Sequence, residues 1–374
     1  PHLSEMRRSR RTAGLALQTT IRPATERELG EVLAGATAAR APLEVLGNGS
    51  KRAIGRPVQA SAQLSTAALK GITLYEPTEL VMSALVGTPL ARIEAELAAQ
   101  GQMLAFEPLE LGPALGGPPG QATIGGTIAT NLSGARRISA GAARDHLLGI
   151  RGVTGGGTEF KSGGRVMKNV TGYDLSKLLA GSWGTLGVLT EVTFKVLPVA
   201  EEAATLALIG LADDLAIEAL CHAMGTPYEV TGAVHLQGPL AQRLGIDDLG
   251  HPGRAATLVR IEGFAKSVAY RVERISRELA PFGELVVIRG EASKQLWAEL
   301  QRLSVIAGRT DPLWRISTAP RNGPKVVAAI RRYMDCRAFY DWSGGLIWLE
   351  VPSTADAGAA DIRRVIASHG GHAT

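Results

Sequence analysis

The chain has 374 residues, 45% of them hydrophobic and 20% charged, with a formal net charge of +5. That length exceeds a single compact core, and the composition is that of globular domains rather than disordered or fibrous chains. Arg7, Arg8, Arg10 and Arg11 against Glu5 put +3 into the first eleven residues, so the remainder is too nearly neutral for a nucleic-acid groove, and no run approaches the roughly 18 apolar residues of a membrane span.

Residues 1–19 read as a basic, solvated tail. A twin-arginine export signal would need an apolar run after the arginines, and Thr12–Thr20 is too short before Arg22-Pro23. A helix is expected over 23–40, where Thr25 and Glu28 have capping-box spacing and Leu29, Val32, Leu33 and Ala36 share one face. The short strand Leu43–Leu46 runs into Gly47-Asn48-Gly49-Ser50, and 60–64 and 72–76 supply further strands, giving a small β-α-β-type unit over 20–76. A second unit, 77–198, begins with an apolar strand at 80–86. Thr88 is expected to cap a helix with Pro89 at its first position, Leu90, Ile93 and Leu97 facing the core, and Gly101 at its end.

Glycine then dominates as far as Gly164. Asp174 is placed to cap a short helix carrying Leu175, Leu178 and Leu179, and Val188–Leu197 reads as a long strand stopped by Pro198. From 199 to 374, strand-like runs at 204–209, 230–236, 257–262, 285–288 and 345–351 alternate with helical patterns at 213–224, 267–279, 293–304, 324–334 and 357–368. This is an α+β domain, expected as an antiparallel sheet with helices on one face. Cys221 and Cys336 are far apart, which excludes the clustered spacing of zinc or iron–sulfur ligands and suits a reducing cytoplasm.

Gly47-Asn48-Gly49-Ser50-Lys51 is either a surface turn or a backbone cradle for a pyrophosphate. It is no dinucleotide-binding loop of the Rossmann kind, because Arg52 stands where a third glycine would and Gly55-Arg56-Pro57 forbids the following helix. Gly120-Gln121-Ala122-Thr123-Ile124-Gly125-Gly126-Thr127, continuing to Asn131, lacks bulky side chains. It suits either a tightly packed sheet crossing or a close backbone approach to a flat ring or a phosphate. Arg144-Asp145-His146, the Lys168–Asp174 block and Gly181–Glu191 place polar residues in apolar surroundings, and Arg144-Asp145 also reads as a buried ion pair.

The order of these segments resembles the FAD-binding domain of the vanillyl-alcohol oxidase and p-cresol methylhydroxylase superfamily. The Arg144-Asp145-His146, Lys168–Asp174 and Gly181–Glu191 blocks, with Asp341-Trp342-Ser343-Gly344-Gly345-Leu346-Ile347-Trp348 and Gly370-Gly371-His372-Ala373-Thr374, are similar to the FAD-binding subunits of bacterial glycolate oxidases. The match covers most of 20–374, and the chain is expected to stop within the family's last strand. The resemblance implies a two-subdomain p-cresol methylhydroxylase-type FAD-binding domain followed by the α+β C-terminal domain. It implies that Gly47, Asn48, Gly49, Ser50 and Lys51 hold the FAD pyrophosphate. Gly120, Ala122, Thr123, Ile124, Gly125, Gly126, Thr127 and Asn131 would line the pyrophosphate and isoalloxazine. Gly184, Gly187 and Val188 would grip the adenosine, and Lys168 or Arg144 would bring positive charge to the pyrimidine end of the flavin.

Covalent members of the superfamily carry a His or Cys in these segments. Residues 46–52 and 118–134 have neither, so the expected FAD is non-covalent. The His-x-Gly-Asp-Gly-Asn-like metal motif of related 2-hydroxy-acid dehydrogenases is also missing, so no metal site and no catalytic residue are assigned. His369 and His372 read as surface residues and His235 as a core residue. The resulting expectation is the FAD-binding subunit of a glycolate or other 2-hydroxy acid oxidase complex, partnered by a sister FAD-binding subunit and an iron–sulfur subunit. It would lie in the cytoplasm or peripherally at the inner membrane through that complex, and would turn over substrate poorly alone. The alternatives are an independent FAD-dependent oxidase of a small hydroxy acid or alcohol, and a non-redox assembly subunit that keeps the FAD fold.

Overall fold

A computed structural model describes residues 19–165, 173–245, 253–308 and 310–374. The helix Glu26–Ala38 starts as the sequence implies. The Thr25 hydroxyl accepts the Glu28 N–H at 3.1 Å, and the Glu28 carboxylate reaches back to the Ala24 N–H at 2.8 Å. Leu29 and Leu33 bury the helix's inner face. The helix packs against the strands Leu147–Val153 and Glu159–Gly163, and the chain around it forms a parallel three-stranded sheet ordered Thr20–Ile21, Ala62–Ser65, Leu43–Leu46.

The expected strand Ile72–Glu76 belongs elsewhere. It pairs with Val81–Leu85 in an antiparallel five-stranded sheet that continues through Val188–Lys195, Leu147–Val153 and Glu159–Gly163. Thr88 does not cap the next helix, which runs Leu90–Ala98 with Pro89 at the cap. The buried Thr88 hydroxyl is occupied, accepting the Gly71 N–H at 2.9 Å and donating to the Leu85 carbonyl at 2.6 Å. The segment expected as a sheet crossing or cofactor run contains a short helix, Ile124–Thr130. Thr123 caps it through the Gly126 N–H, and Asn131 closes it in the left-handed conformation.

The C-terminal half forms an antiparallel eight-stranded sheet. Its order is Leu285–Arg289, Glu202–Ile209, Ala256–Gly263, Val230–Leu236, Arg337–Asp341, Leu346–Glu350, Leu313–Ser317, His372–Ala373. The strands Leu313–Ser317 and Arg337–Asp341 were not expected, because each is short and carries charged residues, whereas a strand at His372–Ala373 agrees with the expectation for the chain's last residues. Helices Asp213–Met224, Ala265–Leu279, Gly323–Ile330 and Ala359–His369 cover one face through Ile217, Ile275, Val327 and Ile362. The expectation of helices on one face only is corrected. Helix Gly290–Gln301 packs Leu296, Trp297 and Leu300 on the other face, beside Leu109, Leu111, Leu132 and Ala135 from the N-terminal half. A sheet with apolar residues on both sides of its strands needs two covers, and the N-terminal half supplies part of the second.

Buried charge bridges this junction. The Arg260 guanidinium donates to both Glu107 carboxylate oxygens at 2.7 and 3.1 Å and stacks 4.3 Å from the Trp297 ring centroid. Arg136 makes a two-point contact with Glu262 at 2.9 and 3.0 Å and an ion pair with Glu107 at 3.2 Å. Among the described residues, no helix is long and apolar enough to cross a membrane.

Candidate functional site

Four separate stretches of sequence converge at one end of the N-terminal half. The first leaves the strand Leu43–Leu46. Gly47 passes so close to the second stretch that a Cβ on it would lie 2.6 Å from the Thr123 hydroxyl, so only glycine fits there. Gly49 turns the chain at φ 81°, Asn48 is exposed, and Ser50 and Lys51 are half-buried. Arg52, which breaks the three-glycine pattern, makes a two-point contact with Glu44 at 2.8 and 2.9 Å and so fixes the turn to its own strand. Lys51 faces Gly126, whose added Cβ would stand 3.8 Å from the ammonium.

Burial pushes the Lys51 ammonium down to about 8, against the opposing pull of Glu110. Glu110 in turn has a buried oxygen without a hydrogen-bond partner. A half-buried ammonium with no ion pair among the described residues, set against a glycine turn and an adjacent helix start, has the chemistry to receive a phosphate group.

The second stretch divides into two parts. Thr123, itself buried, and the half-buried Gly126 face the first loop, and Ile124, Gly125, Thr127 and Ile128 are buried beside them. A Cβ on Gly125 would lie 2.5 Å from the Val86 Cβ, and its N–H already donates to the Val86 carbonyl at 2.9 Å. The Ile124 N–H donates to Thr88 at 3.1 Å, and the Ala122 carbonyl accepts from Leu90 at 2.9 Å. For Ala122, Ile124 and Gly125 the small or apolar residue also serves packing, since their backbones bond to the segment Val86–Leu90. Gly120 is exposed, and a Cβ on it would meet nothing within 4 Å.

In the third stretch the Asn131 side chain accepts the Arg144 N–H at 3.0 Å. Arg144 and Asp145 form an ion pair at 3.7 Å but are about half exposed, so the buried-pair alternative is corrected. The fourth stretch caps the helix Ile124–Thr130, with Gly181 N–H donating to Ile128 at 3.1 Å and Trp183 N–H to Ala129 at 2.9 Å. Gly184, at φ 75°, lies against Val45 of the first unit. Gly187 approaches the Val153 carbonyl, and Val188 is buried at the start of its strand. Lys168 lies outside the described residues.

Sequence reasoning assigned no role to several polar groups nearby. His146 is buried, its Nε2 within 2.9 Å of the Ala140 carbonyl and its Nδ1 without a partner; burial lowers its pKa. Arg137 and Arg315, far apart in sequence, both lie against Trp342. The only signal was the polar content of the Asp341–Trp348 block. His235 is indeed in the core, but in a polar setting, bonded to Thr257 at 2.9 Å and paired with Asp213 at 3.3 Å. Among the described residues no group of three or more His, Cys, Asp or Glu side chains is placed to hold a metal.

A glycine turn, a capped short helix and a helix-closing loop converge on a two-sheet unit backed by a large antiparallel sheet, and this arrangement is the fold seen in p-cresol methylhydroxylase. The structure of p-cresol methylhydroxylase with substrate bound superposes with a TM-score of 0.70 over 93% of this chain and 78% of that one, at 13% identity. Residues 17–163 match the family model described as FAD binding domain. Glycolate oxidase subunit GlcE of Escherichia coli (strain K12) is 37% identical over 339 residues, covering 90% of this chain and 82% of that protein. A D-lactate dehydrogenase of Archaeoglobus fulgidus is 29% identical over 191 residues, covering 50% of this chain and 40% of that protein. The chain belongs to the family of FAD-linked oxidoreductases that includes the glycolate oxidase subunit GlcE, and FAD is its cofactor.

Proposed function

We propose that this chain is the FAD-binding subunit of a complex that oxidises glycolate or a similar small 2-hydroxy acid. The likeness to a glycolate oxidase subunit along 90% of the chain carries this reading. Lys51, Gly47, Ser50, Thr123 and Gly126 would hold the pyrophosphate, with Gly184 and Val188 toward the adenosine and Asn131 and Arg144 toward the flavin ring. FAD supplies the acceptor for the hydride lost from the hydroxyl-bearing carbon. The protein's own contribution is to fix the pyrophosphate between two units and to exclude water from the ring.

The 374 residues contain two cysteines, both free and half-buried, too few for the four-thiolate binding of an iron–sulfur cluster. Electrons must therefore leave through a partner or a diffusible acceptor. A sister FAD-binding subunit and an iron–sulfur subunit are the partners that suit this, in the cytoplasm or at the inner face of a membrane.

No His or Cys lies in residues 46–52 or 118–134, so the FAD is held without a covalent bond. The purified chain should be yellow, and acid precipitation should release all of its flavin as FAD into the supernatant. Flavin retained in the pellet would refute non-covalent attachment. Co-purification from the native source with identification of partners, followed by dye reduction with glycolate, D-lactate and L-lactate, tests the assembly. Rapid turnover by the isolated chain would favour an independent oxidase.

A further inference from the structure

We propose that Arg137 and Arg315 form a clamp for the carboxylate of a small organic acid within this chain, seated over the Trp342 ring where residues 131–145 meet the eight-stranded sheet. The clamp deepens the function proposed above and rests on it for the identity of the acid.

Alternation along the strand Leu313–Ser317 sends Trp314 and Ile316 into the helix-covered face. Arg315 shares the opposite face with its cross-strand partner Trp348, whose own face carries Leu346 toward the N-terminal half. The Arg315 guanidinium lies 5.4 Å from the Trp342 ring centroid and 6.0 Å from that of Trp348. Arg137, on the short helix Arg137–Ala140, lies 4.5 Å from the same Trp342 ring. The indole is fixed by its Nε1–H, which donates to the Gly134 carbonyl at 3.0 Å.

Neither guanidinium forms an ion pair with a described carboxylate, and the buried Arg315 Nε has no hydrogen-bond partner. The nearby acids offset the two cations only in part: Asp145 acts on Arg137 and Asp341 on Arg315, neither as an ion pair. Asp145 is engaged by the Ala142 N–H and by Arg144. The buried Asp341 accepts the Trp342 N–H at 2.7 Å, and burial raises its pKa to about 7. Burial and the mutual repulsion of the two guanidiniums also hold Arg315 down to about 10, and burial with Arg144 lowers Arg137.

Trp342 and Ser343 are both left-handed, at φ 53° and 58°, a conformation disfavoured for non-glycine residues. The chain thus holds the ring in place against local preference. Two convergent, partly desolvated guanidiniums lacking an anion match a carboxylate by charge and by planar geometry.

The FAD-loaded full chain should be titrated calorimetrically with glycolate and with its neutral amide, glycolamide. One charge-assisted contact is worth about 1.5–3 kcal/mol, so glycolamide should bind roughly tenfold or more weakly than glycolate. Arg137→Met and Arg315→Met should each weaken glycolate binding by a similar factor while the flavin-to-protein ratio stays at its starting value. Arg315→Lys should fall between, having the charge without the fork. Melting curves identify any variant that does not fold, and Arg137→Met, on the half-exposed helix, keeps the test available if Arg315→Met unfolds. Equal binding of glycolamide, unchanged affinity in both folded Met variants, or no glycolate binding by the FAD-loaded chain would overturn the clamp. A chain that binds glycolate through both arginines yet never takes up flavin would uphold the clamp and refute the flavin function.

Discussion

At the scale of single residues, Lys51 and two neighbouring glycines separate cofactor binding from packing. Burial lowers the Lys51 pKa to about 8, so the positive form that attracts a phosphate is depleted as pH rises through that value. FAD affinity of the apo-chain should therefore fall between about pH 7 and 9, and Lys51→Met should bind FAD more weakly with a flatter dependence, measured by flavin fluorescence titration. Gly125→Val and Gly126→Val should differ in kind. The first forces a side chain onto Val86 at the core of the N-terminal half, and overpacking of this sort costs about 1–3 kcal/mol, so its melting temperature should drop. The second meets only the Thr123 hydroxyl and the Lys51 ammonium, so it should keep its melting temperature and lose flavin. Equal melting temperatures with equal flavin content would contradict both assignments.

At the scale of elements, the helix Ile124–Thr130 has only seven residues, so its ends decide its stability. Asn131 does two jobs there, adopting φ 50° and accepting the Arg144 N–H. Asn131→Gly should keep the backbone turn and lose the bond to Arg144, whereas Asn131→Ala should lose both. Denaturant unfolding should place the alanine variant about 1 kcal/mol below the glycine variant. The reverse order would mean that the left-handed turn is not what Asn131 provides. Much of this element was readable as composition but not as a helix. Its period is masked by glycine and threonine, and its capping residue Thr123 lies against Gly47, more than seventy positions upstream.

At the scale of the whole molecule, Glu107, Arg136, Arg260 and Glu262 tie the N-terminal half to the large sheet. Burial would raise both acids, but the two guanidiniums win: Glu107 is held below its ordinary value and Glu262 at about 2. A depressed folded-state pKa contributes stability that is complete above about 4.5, the ordinary value, and is lost as pH falls toward 2. Acid unfolding should therefore steepen across that window. Arg260→Met removes the two-point partner of Glu107 and leaves it Arg136 alone, so it should destabilise the chain near neutral pH by less than the roughly 3–5 kcal/mol of a fully unpaired buried charge. Urea unfolding followed separately in each half would locate the loss, and an unchanged midpoint would show that the network is not what joins them. None of this was legible in the sequence, where Glu107 and Arg136 stand far from Arg260 and Glu262 and nothing local pairs them.

The sequence by itself determined the helix capped by Thr25, the long strand from Val188, the alternation of strands and helices after residue 199, and the glycine stretches whose order carries the family resemblance. These follow from local rules of capping, periodicity and backbone freedom, which act over a few residues. The tertiary structure alone decided which glycines face open space and which face Val86 or Val45. It also put the strand Ile72–Glu76 into the five-stranded sheet, gave the large sheet its second cover, and brought Arg137 and Arg315 to the same indole. Each of these depends on which distant segments pack together, and a side chain's electrostatic setting is fixed only when its neighbours across the fold exclude water from it.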